Sequence, residues 1–91
     1  MKIIVYSDSG HAWGKVKHTE VNILKQGSLG LRISSCSYQK GAYVYLEEDC
    51  DLPAFIDAWR VRNPTKQVEL IEKYTEGDSR IRAYKHYYRG Y

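Results

Sequence analysis

The sequence predicts an α+β domain, and three observations carry that prediction. Short β-branched or alternating runs occur at Lys2–Tyr6, Leu31–Tyr38, Ala42–Glu47 and Gln67–Tyr74. Apolar residues at helical spacing fill the segments after the first run and before the last. The two middle runs are joined by only Gln39-Lys40-Gly41, a hairpin connection closed by a glycine. The order strand, helix, strand, strand, helix, strand is the βαββαβ order of ferredoxin-like domains. It implies a four-stranded antiparallel sheet with two helices on one face, the other face open, and a basic, tyrosine-rich C-terminal tail.

Lys2–Tyr6 (KIIVY) is β-branched and bounded by SDSG, so it reads as the first strand. SDSGHAWG is turn-rich, with Trp13 its one large ring. In HTEVNILKQG, Thr19 can cap a short helix, Val21 and Leu24 share a face, and Gly27 can end it in a left-handed conformation. LRISSCSY and AYVYLE alternate with period two, placing Ala42, Val44 and Leu46 on one side and Tyr43, Tyr45 and Glu47 on the other. DCDLPAFIDAWRVRNP is the strongest helix. Asp51 can cap it, Pro53 suits its first turn, Leu52, Phe55, Ile56 and Trp59 form its stripe, and Asn63-Pro64 ends it. In QVELIEKY, Val68 and Leu70 are expected to face the core, and TEGDS turns the chain. The expected organisation is a unit over 1–78 with the segment 79–91 packed on it.

Ninety-one residues, 43% hydrophobic and 27% charged, fit one soluble globular domain rather than a disordered chain. Nine of the twelve aromatics are tyrosine, a ring that serves binding surfaces as well as cores. Residues 1–78 carry ten Lys/Arg against eleven Asp/Glu, whereas residues 79–91 carry four Lys/Arg and no acid. A near-neutral body with a basic end points to a local anionic partner, not to whole-surface DNA binding. Cys36 and Cys50 have no CxxC spacing and read as free thiols in a reducing compartment. The apolar start is too short for a signal peptide and no segment approaches membrane-spanning length, so a cytoplasmic protein without membrane contact is expected.

The basic end holds the main functional signal. Ile81, Tyr84, Tyr88 and Tyr91 recur at helical spacing, and Arg80, Arg82, Lys85 and Arg89 surround them. Arginine forks match phosphate oxygens, and rings stack on bases. A solvated basic helix docked on the sheet is the plainer account of the same pattern. Tyr43 and Tyr45 could be a base-stacking platform, but Glu47-Glu48-Asp49 follow them and would repel a phosphate backbone. A covering role for the tail over these two rings is the stronger reading. The acidic run EEDCD suits a helix start better than a metal site, because it lacks the spacing and glycine of a calcium loop. In SDSGHAWG nothing marks a nucleophile, but as a binding loop it offers backbone amides at Gly10, His11 as a donor and Trp13 as a stacking plate. His18 and His86 have no partner at metal-ligand spacing, and no phosphate-binding glycine motif occurs.

With SGHAW, SYQKGAYVYLEEDCD and SRIRAY aligned in this order, the chain resembles a group of small proteins encoded by tailed bacteriophages. That group has a Gly-His-x-Trp-like element near the start, a Ser-Tyr hairpin leading into an acidic stretch, and Ser-x-Ile-Arg-x-Tyr close to the end. Here alanine separates His11 from Trp13, where the group carries bulkier or glycine-rich variants. The resemblance covers most of the chain and implies a phage product acting in infected bacterial cytoplasm, without implying an activity. Accessory phage proteins of this size often oppose host defences, by sequestering a nucleotide signal or binding a defence protein.

The expected function is therefore non-enzymatic capture of a small phosphorylated, base-containing ligand, of cyclic-nucleotide or ADP-ribose type. Ser9, Gly10, His11, Trp13, Ser79, Arg80, Arg82 and Tyr84 are the expected ligand contacts. No catalytic residue, metal ligand or cofactor is expected. Docking on a host protein through the tyrosine-rich surface, and nucleic-acid binding through the basic tail, are the alternatives. A homo-oligomer is compatible with so many tyrosines on a small domain.

Overall fold

The alternation of Ile3, Val5 and Ser7 with Ile4 and Tyr6 places β-branched side chains on both faces of a strand, and that strand organises the sheet. The computed structural model describes residues 1–27 and 30–87. Its elements in chain order are β1 (Lys2–Ser7), β2 (Ala12–Lys17), α1 (His18–Lys25), β3 (Tyr38–Lys40), β4 (Tyr43–Glu47), α2 (Asp51–Arg62), β5 (Glu69–Tyr74), a 3₁₀ turn (Arg80–Ala83) and β6 (Lys85–His86). The strands form one sheet in the order β5-β1-β2-β4-β3-β6. β1 and β5 run parallel, and every other neighbouring pair is antiparallel.

The α+β class holds, but the sheet differs from the expected one. It has six strands instead of four and it is mixed, so it is larger than a βαββαβ sheet. Of the two additional strands, β2 and β6, β2 occupies AWGKVK, which local propensity reads as the end of a turn. A Cβ at Gly14 would lie 2.7 Å from a Leu52 methyl and 3.2 Å from Ile3 Cγ2, so this strand needs a glycine where α2 presses on it. The expected strand over Leu31–Tyr38 shrinks to Tyr38–Lys40. Ser34 and Ser37 give their hydroxyls to Asp51, and the Ser34 amide bonds the same carboxylate. Side-chain anchoring thus replaces a ladder there.

Helix boundaries also shift. α1 begins at His18 with Lys17 at its N-cap, so Thr19 is not the cap, and Gly27 is not among the left-handed glycines. Cys50 precedes α2 as its N-cap, leaving Asp51 in the first turn with its carboxylate turned to the two serines. The β3–β4 hairpin turns at Gly41-Ala42, with Gly41 at φ +60°, as a two-residue loop with glycine first requires.

Both helices cover the same face. Val21 and Leu24 of α1 and Leu52, Phe55, Ala58 and Trp59 of α2 pack with Ile3, Val5, Val16, Val44 and Leu46. Val68 packs at the margin of this core, whereas Leu70, on the edge strand β5, is 52% exposed, against expectation. The opposite face carries a second cluster of Trp13, Tyr45 and Ile81, flanked by Tyr6, Tyr38, Tyr43 and Tyr84. Residues 80–87 cross this face, pair β6 with β3, and bury Tyr87 in the main core. No helix among the described residues is long and apolar enough to cross a membrane.

Candidate functional site

Asp8 closes the β1–β2 turn, and it is the residue on which the C-terminal segment is hung. Its Oδ1 accepts the amides of Gly10 at 2.9 Å and His11 at 3.0 Å, which is how aspartate fixes a tight turn. The Ser79 amide donates to Oδ2 at 2.9 Å. Arg82 then engages both oxygens, Nε at 2.7 Å and Nη2 at 2.8 Å. The carboxylate is 1% exposed. The Arg82 fork, followed by the Ser79 amide, holds the Asp8 carboxyl far below the usual carboxylate range. Arg82 is raised in turn, first by its bond to Asp8.

This arrangement sorts the expected ligand contacts into two groups. Gly10, His11, Trp13, Ser79 and Arg82 form an internal latch. The Arg82 guanidinium lies 5.3 Å from the Trp13 ring centre while bonding Asp8, and the indole is 2% exposed. Trp13 is thus a buried ring of the second cluster, edge-on to Tyr38 at 6.0 Å, with His11 at 6.1 Å, and presents no open stacking plate. A Cβ at Gly10 would meet Arg82 Nη2 at 2.8 Å, so this glycine makes room for the latch. Ser9 lies exposed on the turn. Asp8, absent from the expected contacts, is the residue that organises the rest.

Arg80 and Tyr84 fall elsewhere. A 3₁₀ turn advances three residues per revolution, so Arg80 and Arg82 leave it in different directions. Arg80 is exposed and has no ion pair among the described residues. It borders a groove of about 370 Å³ between the sheet and the returning chain, with Tyr6, Lys15 and Tyr45 on the sheet side and Thr75, Ser79, Ile81 and Tyr84 opposite. None of these lining side chains is acidic.

The groove's rings are held by one another. Tyr45 lies 5.1 Å from Tyr84 and 6.5 Å from Tyr6, centre to centre, in tilted contacts. Burial, then the neighbouring phenols of Tyr84, Tyr6 and Tyr43, push the Tyr45 hydroxyl up. Lys15 stands 4.1 Å over Tyr43 and Lys40 stands 4.7 Å over Tyr84. The strand registers place Lys2, Tyr6, Lys15, Lys17, Tyr43, Tyr45, Tyr38 and Lys40 on this one face. Tyr84 packs against Tyr45 on this face; Tyr88, which the sequence also sets against these rings, and Tyr91 lie outside the described residues.

Two other features lie outside this groove. A concavity of about 500 Å³ lies along Gly30–Ile33 with Lys25 and Tyr87, but its one ring among the described residues, Tyr87, has its hydroxyl bonded by Lys25. His11, Glu47 and Glu48 bring potential metal-ligand atoms within 4.8 Å of one another. The β2–β4 register, which sets Trp13 opposite Glu47, produces that grouping, and sequence spacing could not reveal it. Glu47 Oε1 accepts the Asp49 and Cys50 amides at 3.0 Å, which accounts for its position without an ion. Three donors are also one short of a closed tetrahedral protein site.

Comparison with known protein families, with curated proteins and with solved structures finds no match to this chain.

Proposed function

We propose that the protein is a binding module for a compact phosphorylated ligand carrying an aromatic ring, of the nucleotide class, and that the ligand occupies the groove between Tyr6, Tyr45 and Tyr84. The observation that carries this reading is the convergence of Lys15 and Arg80 on a tyrosine-walled groove of about 370 Å³ with no acidic lining among the described residues. That size falls in the range of about 300–1,000 Å³ typical of small-molecule sites. Arg80 supplies a fork and Lys15 a point charge for phosphate, and the phenol faces accept a base or other planar group. Ser79 and Thr75 add hydrogen bonding at the rim. Arg82 and Trp13 act behind this surface, fixing the turn that presents Arg80.

In its biological form, resting on the phage resemblance, the module acts in infected cytoplasm as a host-defence antagonist that sequesters a cyclic-nucleotide or ADP-ribose-like signal. A thermal-shift screen of nucleotides, cyclic nucleotides and ADP-ribose tests it. The melting temperature should rise with at least one of them in the wild type, and the rise should vanish in Arg80→Ala. A flat response to the whole panel would refute the reading.

A second reading draws on the wider distribution of lysines. Lys2, Lys15, Lys17 and Lys40 share the face with the tyrosines, a pattern suited to single-stranded nucleic acid. Binding of that kind weakens steeply with salt, because each phosphate contact releases a counterion. A short oligonucleotide whose affinity is unchanged between low and moderate salt would exclude it. Docking on a host protein through the same face is separated by pull-down after nuclease and phosphodiesterase treatment.

A further inference from the structure

We infer that β5 is a self-pairing edge, through which two copies of this chain join across a two-fold axis into one continuous sheet. The inference is independent of the ligand reading. β5 pairs only with β1, so its other edge carries unpaired backbone groups among the described residues. The phase of those groups is known. Gln67 O accepts from the Met1 amine, the Glu69 amide donates to Met1 O and the Thr75 amide to Ser7 O, so odd-numbered residues face β1. Val68, Leu70, Glu72 and Tyr74 therefore aim their amides and carbonyls outward.

Side-chain chemistry selects the register. A two-fold axis perpendicular to the sheet preserves its faces, so residues of the same face must oppose each other. Centring the axis on Ile71 sets Glu69 against the second copy's Lys73, and Lys73 against its Glu69, on the tyrosine face. Leu70 then forms hydrogen-bonded pairs with the second copy's Glu72, and Val68 meets Tyr74, a β-branched residue against an aromatic. Moving the centre to Glu72 opposes the two Glu72 carboxylates directly. Moving it to Leu70 pairs Lys73 with Gln67 and leaves Glu72 facing Val68. Only the central register among these three matches charge with charge.

Exposure agrees with a missing neighbour. Leu70 is 52% and Tyr74 61% exposed on the helix side of this edge strand. Pairing at Ile71 brings both against a second copy. It also places the two grooves on the same side of the joined sheet.

Sedimentation equilibrium of the full chain tests this. The wild type should show a reversible dimer of the 10.6-kDa chain. Lys73→Glu, and separately Glu69→Lys, should each weaken dimerisation roughly tenfold or more by setting like charges opposite one another twice. The double swap E69K/K73E should restore it, because the pairs reform with reversed sign. Leu70→Pro removes an outward amide that has no partner in the monomer, so it should abolish the dimer while circular dichroism stays that of the folded chain. A wild type that stays monomeric at the highest soluble concentration overturns the inference. So does a dimer that survives L70P, or single charge reversals that the double swap fails to rescue.

Discussion

Gly14→Ala probes the contact that makes β2 a strand. The added methyl would lie 2.7 and 3.0 Å from the two Leu52 methyls and 3.2 Å from Ile3 Cγ2. Unstrained carbon contacts sit at about 3.5–4.0 Å, so it intrudes on two walls at once. Leu52 is 4% and Ile3 1% exposed, leaving neither side chain room to swing into solvent. Overpacking of this kind costs about 1–3 kcal/mol. Gly14 does not have a left-handed backbone, so alanine regains about 0.4–1 kcal/mol by restricting the unfolded chain. The difference spans about 0–2.6 kcal/mol and centres on about 1.3 kcal/mol, a drop in melting temperature of about 5–10 °C for a domain of this size. Thermal denaturation by circular dichroism should show that drop in G14A, and little or none when G14A is added to Leu52→Ala, where the space is vacant. A G14A protein melting at or above wild type, or an equal loss in both backgrounds, would refute the packing of α2 on β2.

The remaining predictions concern the latch and the groove. Because the Asp8 carboxyl is held below its unfolded range, its contribution to stability is present above about pH 4 and is lost as pH falls towards its folded value. Urea denaturation of Asp8→Asn should accordingly give a flatter stability profile between neutral and strongly acid pH than wild type, and an identical profile would contradict the latch. Ile81 is 3% exposed in the second cluster, so Ile81→Ala should cost about 2–5 kcal/mol, read by urea titration. Trypsin should cut that variant after Arg80 or Arg82 sooner than wild type. Arg82→Ala should lower the melting temperature and accelerate cutting after Arg80, whereas Arg80→Ala, exposed and without an ion pair among the described residues, should leave the melting temperature unchanged and cutting after Arg82 as slow as in wild type.

Local pattern reveals the parts of this fold whose causes are local. The alternation in YVYLE puts Val44 and Leu46 under the helices and Tyr43 and Tyr45 on the other face, as period two requires. The Leu52, Phe55, Ile56 and Trp59 stripe makes α2, and Tyr84 packs against Tyr45 of the sheet. What escapes the sequence has a distant cause. Gly14 reads as a turn residue because the Leu52 side chain that requires it lies 38 positions away. The serines of LRISSCSY look like strand residues until Asp51 takes their hydroxyls. Arg80 and Arg82 look equivalent, two cations flanking one isoleucine, yet Asp8 claims Arg82 and the 3₁₀ turn sends Arg80 to the groove. Nothing near Arg82 announces that its partner is in the first turn of the chain.

Titration calorimetry of the wild type and Arg80→Ala against nucleotides, cyclic nucleotides and ADP-ribose tests the proposed groove most directly. The account predicts saturable one-site binding of at least one of them at micromolar affinity or tighter, about −8 kcal/mol, and its loss in the folded R80A protein. Absence of heat across the panel, or undiminished binding in R80A, would contradict it.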